Sequence, residues 1–241
     1  MEEKKYIVGI VGGMGTYATI DFFRRLADAI PAEKEWDRPR IVIDNYCTMP
    51  SRVRALLYNE RREELVDNLT ASVRHMLDIG VSRIVFACNT SHCFVPAVIE
   101  NIPESMDVIL HIIDNLGRVL KNQAVSSVGL VATEGTIDSG IYADTFAPYG
   151  ISVTAPTEAE YSQLRAFIEA VKQDTMDDEI CGKFCEFLDA FDEAAVILGC
   201  TELPILYAEC LKRGYAPHKA VFDPLESAID VIREEYLESK K

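Results

Sequence analysis

The sequence predicts an α/β protein of two similar lobes, each a mainly parallel sheet flanked by helices, related by a pseudo-two-fold internal repeat. Three observations predict it. Short apolar, β-branched runs alternate with longer helical patterns, as strand–helix–strand units require. The runs stay apolar along their length, which marks strands covered on both faces. The chain also echoes itself. Gly9-Ile10-Val11-Gly12 with Gly15-Thr16 matches Gly129-Leu130-Val131-Ala132 with Gly135-Thr136, and Ile84-Val85-Phe86-Ala87-Cys88-Asn89 matches Val196-Ile197-Leu198-Gly199-Cys200-Thr201. Gly9 and Gly129 stand 120 positions apart, Cys88 and Cys200 112.

Taken in order, strands are expected at 6–12, 41–46, 83–88 and 107–112 in the first lobe, and at 126–132, 151–154, 194–199 and 220–222 in the second. Helical periodicity covers 16–30, 51–79 with a break, 93–100 and 114–121. It resumes at 136–147, 158–173, 176–190, 203–213 and 223–238. No Pro/Ser-rich linker separates the halves. The first lobe is expected over 1–114, completed by the C-terminal segment 216–241, and the second over 115–215.

Composition narrows the function classes. Of 241 residues, 49% are hydrophobic, enough for a sizeable core, and the net charge is -15. Nucleic-acid affinity comes largely from Lys and Arg neutralising phosphates, so nucleic acid and anionic membrane surfaces are poor partners for this chain. No apolar run has membrane length, and the apolar N-terminal stretch reads as a buried strand. The expected compartment is the cytoplasm. Seven cysteines without an export signal indicate thiols, not a disulfide framework. Cys181 and Cys185 have helical spacing and lack a second Cys/His pair, so no metal site is expected.

Each cysteine of the echoed pair ends an apolar strand, at the carboxyl edge where open α/β sheets bind ligands. Polar, helix-initiating residues follow: Asn89-Thr90-Ser91 after Cys88, Thr201-Glu202 and then Pro204 after Cys200. A helix N-terminus favours the thiolate. If the lobes face each other, the two thiols meet across a cleft. Two opposed thiols suit inversion of a stereocentre, where one group removes a proton and the other delivers one to the opposite face. The alternative is a pair of inert, buried cysteines. The turn Gly12-Gly13-Met14-Gly15-Thr16 offers backbone N–H groups to a carboxylate, and Thr133-Glu134-Gly135-Thr136 adds two hydroxyls. Neither turn has phosphate-loop or dinucleotide spacing. Arg52 and Lys172 are candidate cations for an acidic substrate, Arg by bidentate pairing and Lys as a point charge. His92, four residues after Cys88, either orients the thiol or is a polar residue at a helix start.

These elements, in this order, resemble the aspartate/glutamate racemase superfamily, and within it the aspartate racemase branch. The matching motifs are Gly12-Gly13-Met14-Gly15 with Ala18-Thr19 and Asp21-Phe22-Phe23, then Pro50-Ser51-Arg52, then Ala87-Cys88-Asn89-Thr90 with His92. Val131-Ala132-Thr133 with Gly135-Thr136 and Leu198-Gly199-Cys200-Thr201-Glu202-Leu203-Pro204 complete the set. The resemblance implies an isomerase that needs neither pyridoxal phosphate nor metal, with no bound cofactor. Cys88 and Cys200 would be its acid/base pair. Asn89, Thr90 and Thr201 would hold the α-carboxylate and amino group, and Arg52 and Lys172 the further carboxylate of a small acidic amino acid. It also implies a homodimer. Glu202 is counted with Met14, Thr133, Gly135 and Thr136 among the substrate-binding residues, and it stands where glutamate racemases usually carry His, which favours the aspartate branch. Thr16-Tyr17, Ser51 and Tyr46 depart from the family pattern around the expected pocket. Glutamate or broader specificity, and a non-catalytic binder of acidic amino acids, are the alternatives.

Overall fold

The computed structural model describes residues 6–241. They form two compact units. One runs to Ile112 and is joined by Leu225–Lys241; the other is Ile113–Pro224.

The first unit holds a three-stranded parallel sheet in the order β2-β1-β3, from β1 (Ile7–Gly12), β2 (Arg40–Asn45) and β3 (Arg83–Phe86). Every residue of β1 is buried, as a central strand of continuous apolar character should be. α1 (Thr16–Ala29) links β1 to β2, and α2 (Arg52–Tyr58) and α3 (Arg62–Ile79) link β2 to β3. The break between α2 and α3 falls at Asn59, whose φ of 55° places it in the left-handed region that ends helices. α3 packs Leu65, Leu69, Val73 and Met76 into a core with Val11, Ile84 and Phe86. α4 (Val95–Asn101) follows β3. Before β2, a short turn carries Trp36, the chain's one tryptophan, 77% exposed with the Lys34 ammonium 5.2 Å from the ring centre.

The second unit holds a four-stranded parallel sheet in the order β5-β4-β6-β7, from β4 (Ser127–Val131), β5 (Ser152–Thr154), β6 (Ala195–Leu198) and β7 (Ala220–Phe222). Its helices are α5 (Ile112–Asn122), α6 (Glu134–Asp138), α7 (Ile141–Phe146), α8 (Tyr161–Lys172), α9 (Asp178–Asp189) and α10 (Leu203–Lys212). α11 (Pro224–Ser239) returns to the first unit. There Arg83 pairs with Glu235 through three contacts, Nε to Oε2 at 2.8 Å and to Oε1 at 3.0 Å and Nη2 to Oε1 at 2.6 Å, and the Tyr6 hydroxyl donates to Glu235 at 2.7 Å.

The internal repeat is a repeat of register. Gly9 pairs with Ile84 and Val42; Gly129 pairs with Val196 and Thr154. Ile84 and Val196 stand 112 positions apart, and so do Val42 and Thr154. Both glycines are needed for close packing. A Cβ on Gly9 would meet the Met76 side chain at 2.9 Å, and one on Gly129 would meet the Phe191 ring at 2.5 Å.

Three expectations need correction. Residues 107–112 form no strand. They make one parallel bridge, Ile84↔Ile109, closed by Ile84 N–H to Val108 and Leu110 N–H to Ile84, both 2.9 Å, before the chain turns into α5. This bridge occupies the place of β7, since Ile109 and Val221 are also 112 apart. Residues 216–223 were expected in the first lobe, yet β7 pairs with β6, so the return begins at Leu225. Ile113 and Asp114 fall in the second unit. The helical run 136–147 also divides, at Gly140 with φ 69°.

Candidate active site

In the first unit the carboxyl edge of the sheet gathers the ends of β1, β2 and β3. After β1 the chain turns at Gly13, whose φ of 79° disfavours a side chain and where an added Cβ would meet the Tyr46 backbone at 2.5 Å. Thr19 secures the turn, accepting from Gly13 N–H at 3.1 Å and donating to the Gly15 carbonyl at 2.8 Å. Met14 is buried, and its carbonyl accepts from Arg52 Nη2 at 2.7 Å. Arg52 opens α2 behind the Ser51 cap and also donates to the Pro50 carbonyl at 3.2 Å. The guanidinium therefore holds the glycine turn against the start of α2, with donors left over for a carboxylate.

Cys88 lies two residues beyond β3 and is 7% exposed. Ala87 N–H donates to Val11 at 3.0 Å, which carries the strand pairing to the residue before the thiol. Asn89, Thr90, Ser91 and His92 are all buried. They form a tight 3-10 turn over Thr90–Phe94, not the first turn of an α-helix, and α4 begins only at Val95. The sequence left the part of His92 open; the structure gives it a backbone role. Its Nδ1 meets the Cys88 carbonyl at 2.9 Å, and Ile112 N–H donates to its Nε2 at 3.4 Å. Burial, with His111 beside it, drives its pKa down to about 3, so the ring is neutral and Nδ1 donates. Ser91 Oγ donates to the same carbonyl at 2.7 Å. Sequence reasoning read Ser91 only as a helix-initiating polar residue and gave no part to Cys47, which lies exposed two residues beyond β2. Asn45 Nδ2 donates to Cys47 Sγ at 3.0 Å, and the Thr16 hydroxyl lies 3.2 Å from it.

In the second unit the same edge is built from β4 and β6. Gly199 N–H donates to Val131 at 2.7 Å, the counterpart of the Ala87 contact. A Cβ on Gly199 would meet Leu130 at 2.7 Å, so glycine lets the strand ends close up just before Cys200. Cys200 is 7% exposed and Thr201 is buried. Cys200 Sγ donates to Glu202 Oε2 at 2.9 Å, and the Thr201 hydroxyl lies 3.3 Å from that oxygen. Thr133 caps α6, accepting from Thr136 N–H at 3.4 Å, and the two hydroxyls are 3.0 Å apart over buried Gly135. Lys172 ends α8, half-exposed, with its ammonium 2.8 Å from Glu169. Partial burial opposes its charge, but Glu169, then Glu202 and Cys200, outweigh that and raise its pKa. Lys172 thus sits within electrostatic reach of Cys200 without touching it.

Among the described residues, no three His, Cys, Asp or Glu side chains come together as a metal-holding group. No helix among them is long and apolar enough to cross a membrane.

The family model described as Asp/Glu/Hydantoin racemase matches residues 11–232. The chain belongs to this family. Glutamate racemase of Carboxydothermus hydrogenoformans is 29% identical over 189 residues, 76% of this chain and 66% of that protein. Glutamate racemase of Desulforudis audaxviator is 25% identical over 174 residues, 71% of this chain and 62% of that protein. The matched stretches thus span less than two thirds of these curated relatives. Among solved structures, Picrophilus torridus aspartate racemase aligns over 98% of each chain with a TM-score of 0.79 and 26% identity. Glutamate racemase of Francisella tularensis, solved in complex with D-glutamate, aligns over 99% of this chain and 83% of that chain. Its TM-score is 0.68 and its identity 18%, a likeness of fold.

Proposed function

We propose that this protein is an amino-acid racemase that interconverts L- and D-aspartate by two-base proton transfer, with Cys88 and Cys200 as the bases and no cofactor. The observation that carries the reading is the matched placement of the two thiols. Cys88 follows β3, the partner of β1, by two residues, Cys200 follows β6, the partner of β4, by two residues, and each is preceded by an equivalent backbone bond, Ala87 to Val11 and Gly199 to Val131.

Inversion at the α-carbon needs one thiolate to take the proton on one face while a thiol gives one on the other. In the reverse direction the roles exchange. Thiols suit both roles because their ordinary pKa of about 8.5 is close to working pH. Asn89, Thr90 and Thr201 flank the two sulfurs in sequence and are assigned to the α-carboxylate and ammonium. The turn at Met14 and the pair Thr133/Thr136 supply further donors. Arg52 and Lys172 are the cations assigned to the side-chain carboxylate, and with the substrate's ammonium they offset the negative charge that develops on the carbon. Glu202, hydrogen-bonded to Cys200, is assigned to that thiol and not to a substrate carboxylate, which it would repel.

Full-length alignment with an aspartate racemase and the presence of Glu202 support aspartate. A second reading, glutamate, is favoured by the glutamate racemases among the sequence relatives. Incubation with L-aspartate or L-glutamate in deuterium oxide, without added cofactor, tests both. Loss of the α-proton NMR signal together with D-isomer on a chiral column is expected for aspartate. Cys88→Ser and Cys200→Ser are each expected to lower the rate by roughly 10²–10⁴-fold. Near-normal activity in either variant would refute the two-thiol scheme.

A further inference from the structure

We infer that Arg165 is a specificity-determining residue in the second unit: by cancelling the charge of Glu134 it lets an anionic substrate approach the Thr133 and Thr136 hydroxyls beside Cys200. This role rests on the acidic substrate proposed above. Val131 and Leu198 are the last paired residues of β4 and β6, and Thr133 and Cys200 each stand two residues beyond them. The register therefore brings the thiol to the same sheet edge as the two hydroxyls, which are 3.0 Å apart. That edge also carries carboxylates. Glu134 follows Thr133 directly, and Glu202 is hydrogen-bonded to Cys200 at 2.9 Å. A bare carboxylate next to the hydroxyls would repel a substrate that is itself a dicarboxylate.

Arg165 removes that repulsion. Its Nη1 donates to Glu134 Oε1, and the Tyr161 hydroxyl donates to Asp138 Oδ1 at 2.9 Å. Glu134 and Asp138 lie four residues apart on α6, Tyr161 and Arg165 four apart on α8, so one face of each helix meets the other. The Glu134 side chain is 29% exposed and that of Arg165 62%. A carboxylate so far removed from water is weakly screened, and its field reaches the neighbouring hydroxyls unless a cation stands against it. The anchorage of α8 does not depend on this pair. Leu164, Phe167 and Ile168 are buried in the core that also holds Val131, Leu198 and Cys200. An ion pair with one partner this exposed adds little to stability. What Arg165 contributes is its charge.

The rest of α8 agrees. Seven residues on, on the same face as Arg165, Lys172 meets Glu169 at 2.8 Å and is drawn also by Glu202 and Cys200. In a chain of net charge -15, α8 therefore turns two cations toward an acidic sheet edge. Lys172 is assigned to the substrate. Arg165 is spent on the protein's own carboxylate, and its effect on the substrate is the repulsion it prevents.

Arg165→Ala, Glu134→Gln and the double variant test this in the full chain. Titration calorimetry with succinate, a dicarboxylate without a stereocentre, reads binding apart from turnover. Values of kcat and KM for both enantiomers of aspartate read the reaction. Arg165→Ala is expected to weaken succinate binding and raise KM for aspartate by roughly tenfold, with kcat within about threefold of native. Glu134→Gln alone leaves Arg165 unopposed and is expected to tighten succinate. In the double variant the stranded charge is gone, and both quantities are expected to return to within about threefold of native. Arg165→Lys keeps a cation beside Glu134 and is expected to stay near native. A mere strut between α6 and α8 predicts the reverse: Glu134→Gln would weaken binding, and the double variant would be no better than Arg165→Ala. Succinate affinity indifferent to Arg165→Ala, a double variant as weak as Arg165→Ala, or a native chain that binds neither succinate nor aspartate would each overturn the assignment. If the succinate pattern holds while the native chain exchanges no α-proton in deuterium oxide, racemisation falls and the role of Arg165 stands. If exchange occurs and Arg165→Ala changes nothing, racemisation stands and the role of Arg165 falls.

Discussion

Cys200 shares its proton with the Glu202 carboxylate at 2.9 Å, whereas the residues after Cys88, Asn89-Thr90-Ser91, carry no charge and His92 is neutral. On the proposed two-thiol scheme, two bases in unequal surroundings still meet a thermodynamic constraint. Enantiomers have equal free energy, so kcat/KM must be the same in both directions, in the native chain and in every variant. The asymmetry can therefore show only in kcat and KM taken separately. Glu202→Gln keeps the shape but loses the proton acceptor. It is expected to lower kcat by roughly tenfold in the direction that starts with Cys200 as base. It should also shift that direction's pH profile more than the other's, with kcat/KM still equal. Progress curves for both enantiomers across pH, followed by circular dichroism, measure this. Arg52 shows a second residue-scale point. Its contacts to Met14 and Pro50 make it a structural clamp in addition to the substrate role proposed for it.

At the scale of elements, the 3-10 turn after β3 is fixed from inside by His92, which ties the Cys88 carbonyl to the first residue of α5. An imidazole buried neutral, with its pKa near 3, titrates at its ordinary value of about 6.5 once the chain unfolds. The unfolded chain then binds an extra proton below that value. The stability this group contributes is full above about pH 6.5 and is lost as pH falls toward its folded pKa, on the order of 2 kcal/mol by about pH 5. His92→Gln is expected to flatten this slope, as measured by urea unfolding between about pH 7 and pH 5. None of this was legible in the sequence, because both partners of His92 are backbone groups. Cys88 and Cys200 were legible because each closes an apolar run that repeats. β1, β3, β4 and β6 were legible because strands buried on both faces stay apolar throughout. The run 107–112 misled for the same reason: its Ile109 and Ile112 are buried, yet the chain leaves the sheet after one bridge. The Cys200–Glu202 contact spans two positions at a strand–helix junction, where no periodicity applies. Lys172 was legible only as a cation that an acidic substrate would need and through a loose resemblance, and its place near Cys200 depends on where α8 ends.

For the whole molecule, the decisive feature is that the first unit is not continuous in sequence. Residues to Ile112 need α11, which follows all of the second unit. The second unit can close as soon as it has been made, while the first waits for the end of the chain. The link is the contact of Arg83 and Tyr6 with Glu235, in which the Arg83 and Glu235 side chains are about 30% exposed. Arg83→Met leaves a half-buried carboxylate without its cation and is expected to cost about 2 kcal/mol. The loss should fall on the unfolding transition of the first unit. Adding Glu235→Leu should recover part of it, because two apolar groups replace one stranded charge. Calorimetry of the native chain and both variants would show which transition moves.

Trp36 gives such experiments a reporter of their own. As the only indole in the chain, and one seated in the first unit, it makes fluorescence excited at long wavelength blind to the other unit, whose aromatic residues are Phe and Tyr. Because the ring is already in water, melting will dim or brighten it through loss of the Lys34 neighbour more than it will redden it. Emission intensity against far-ultraviolet ellipticity therefore separates the two halves of one polypeptide without a label.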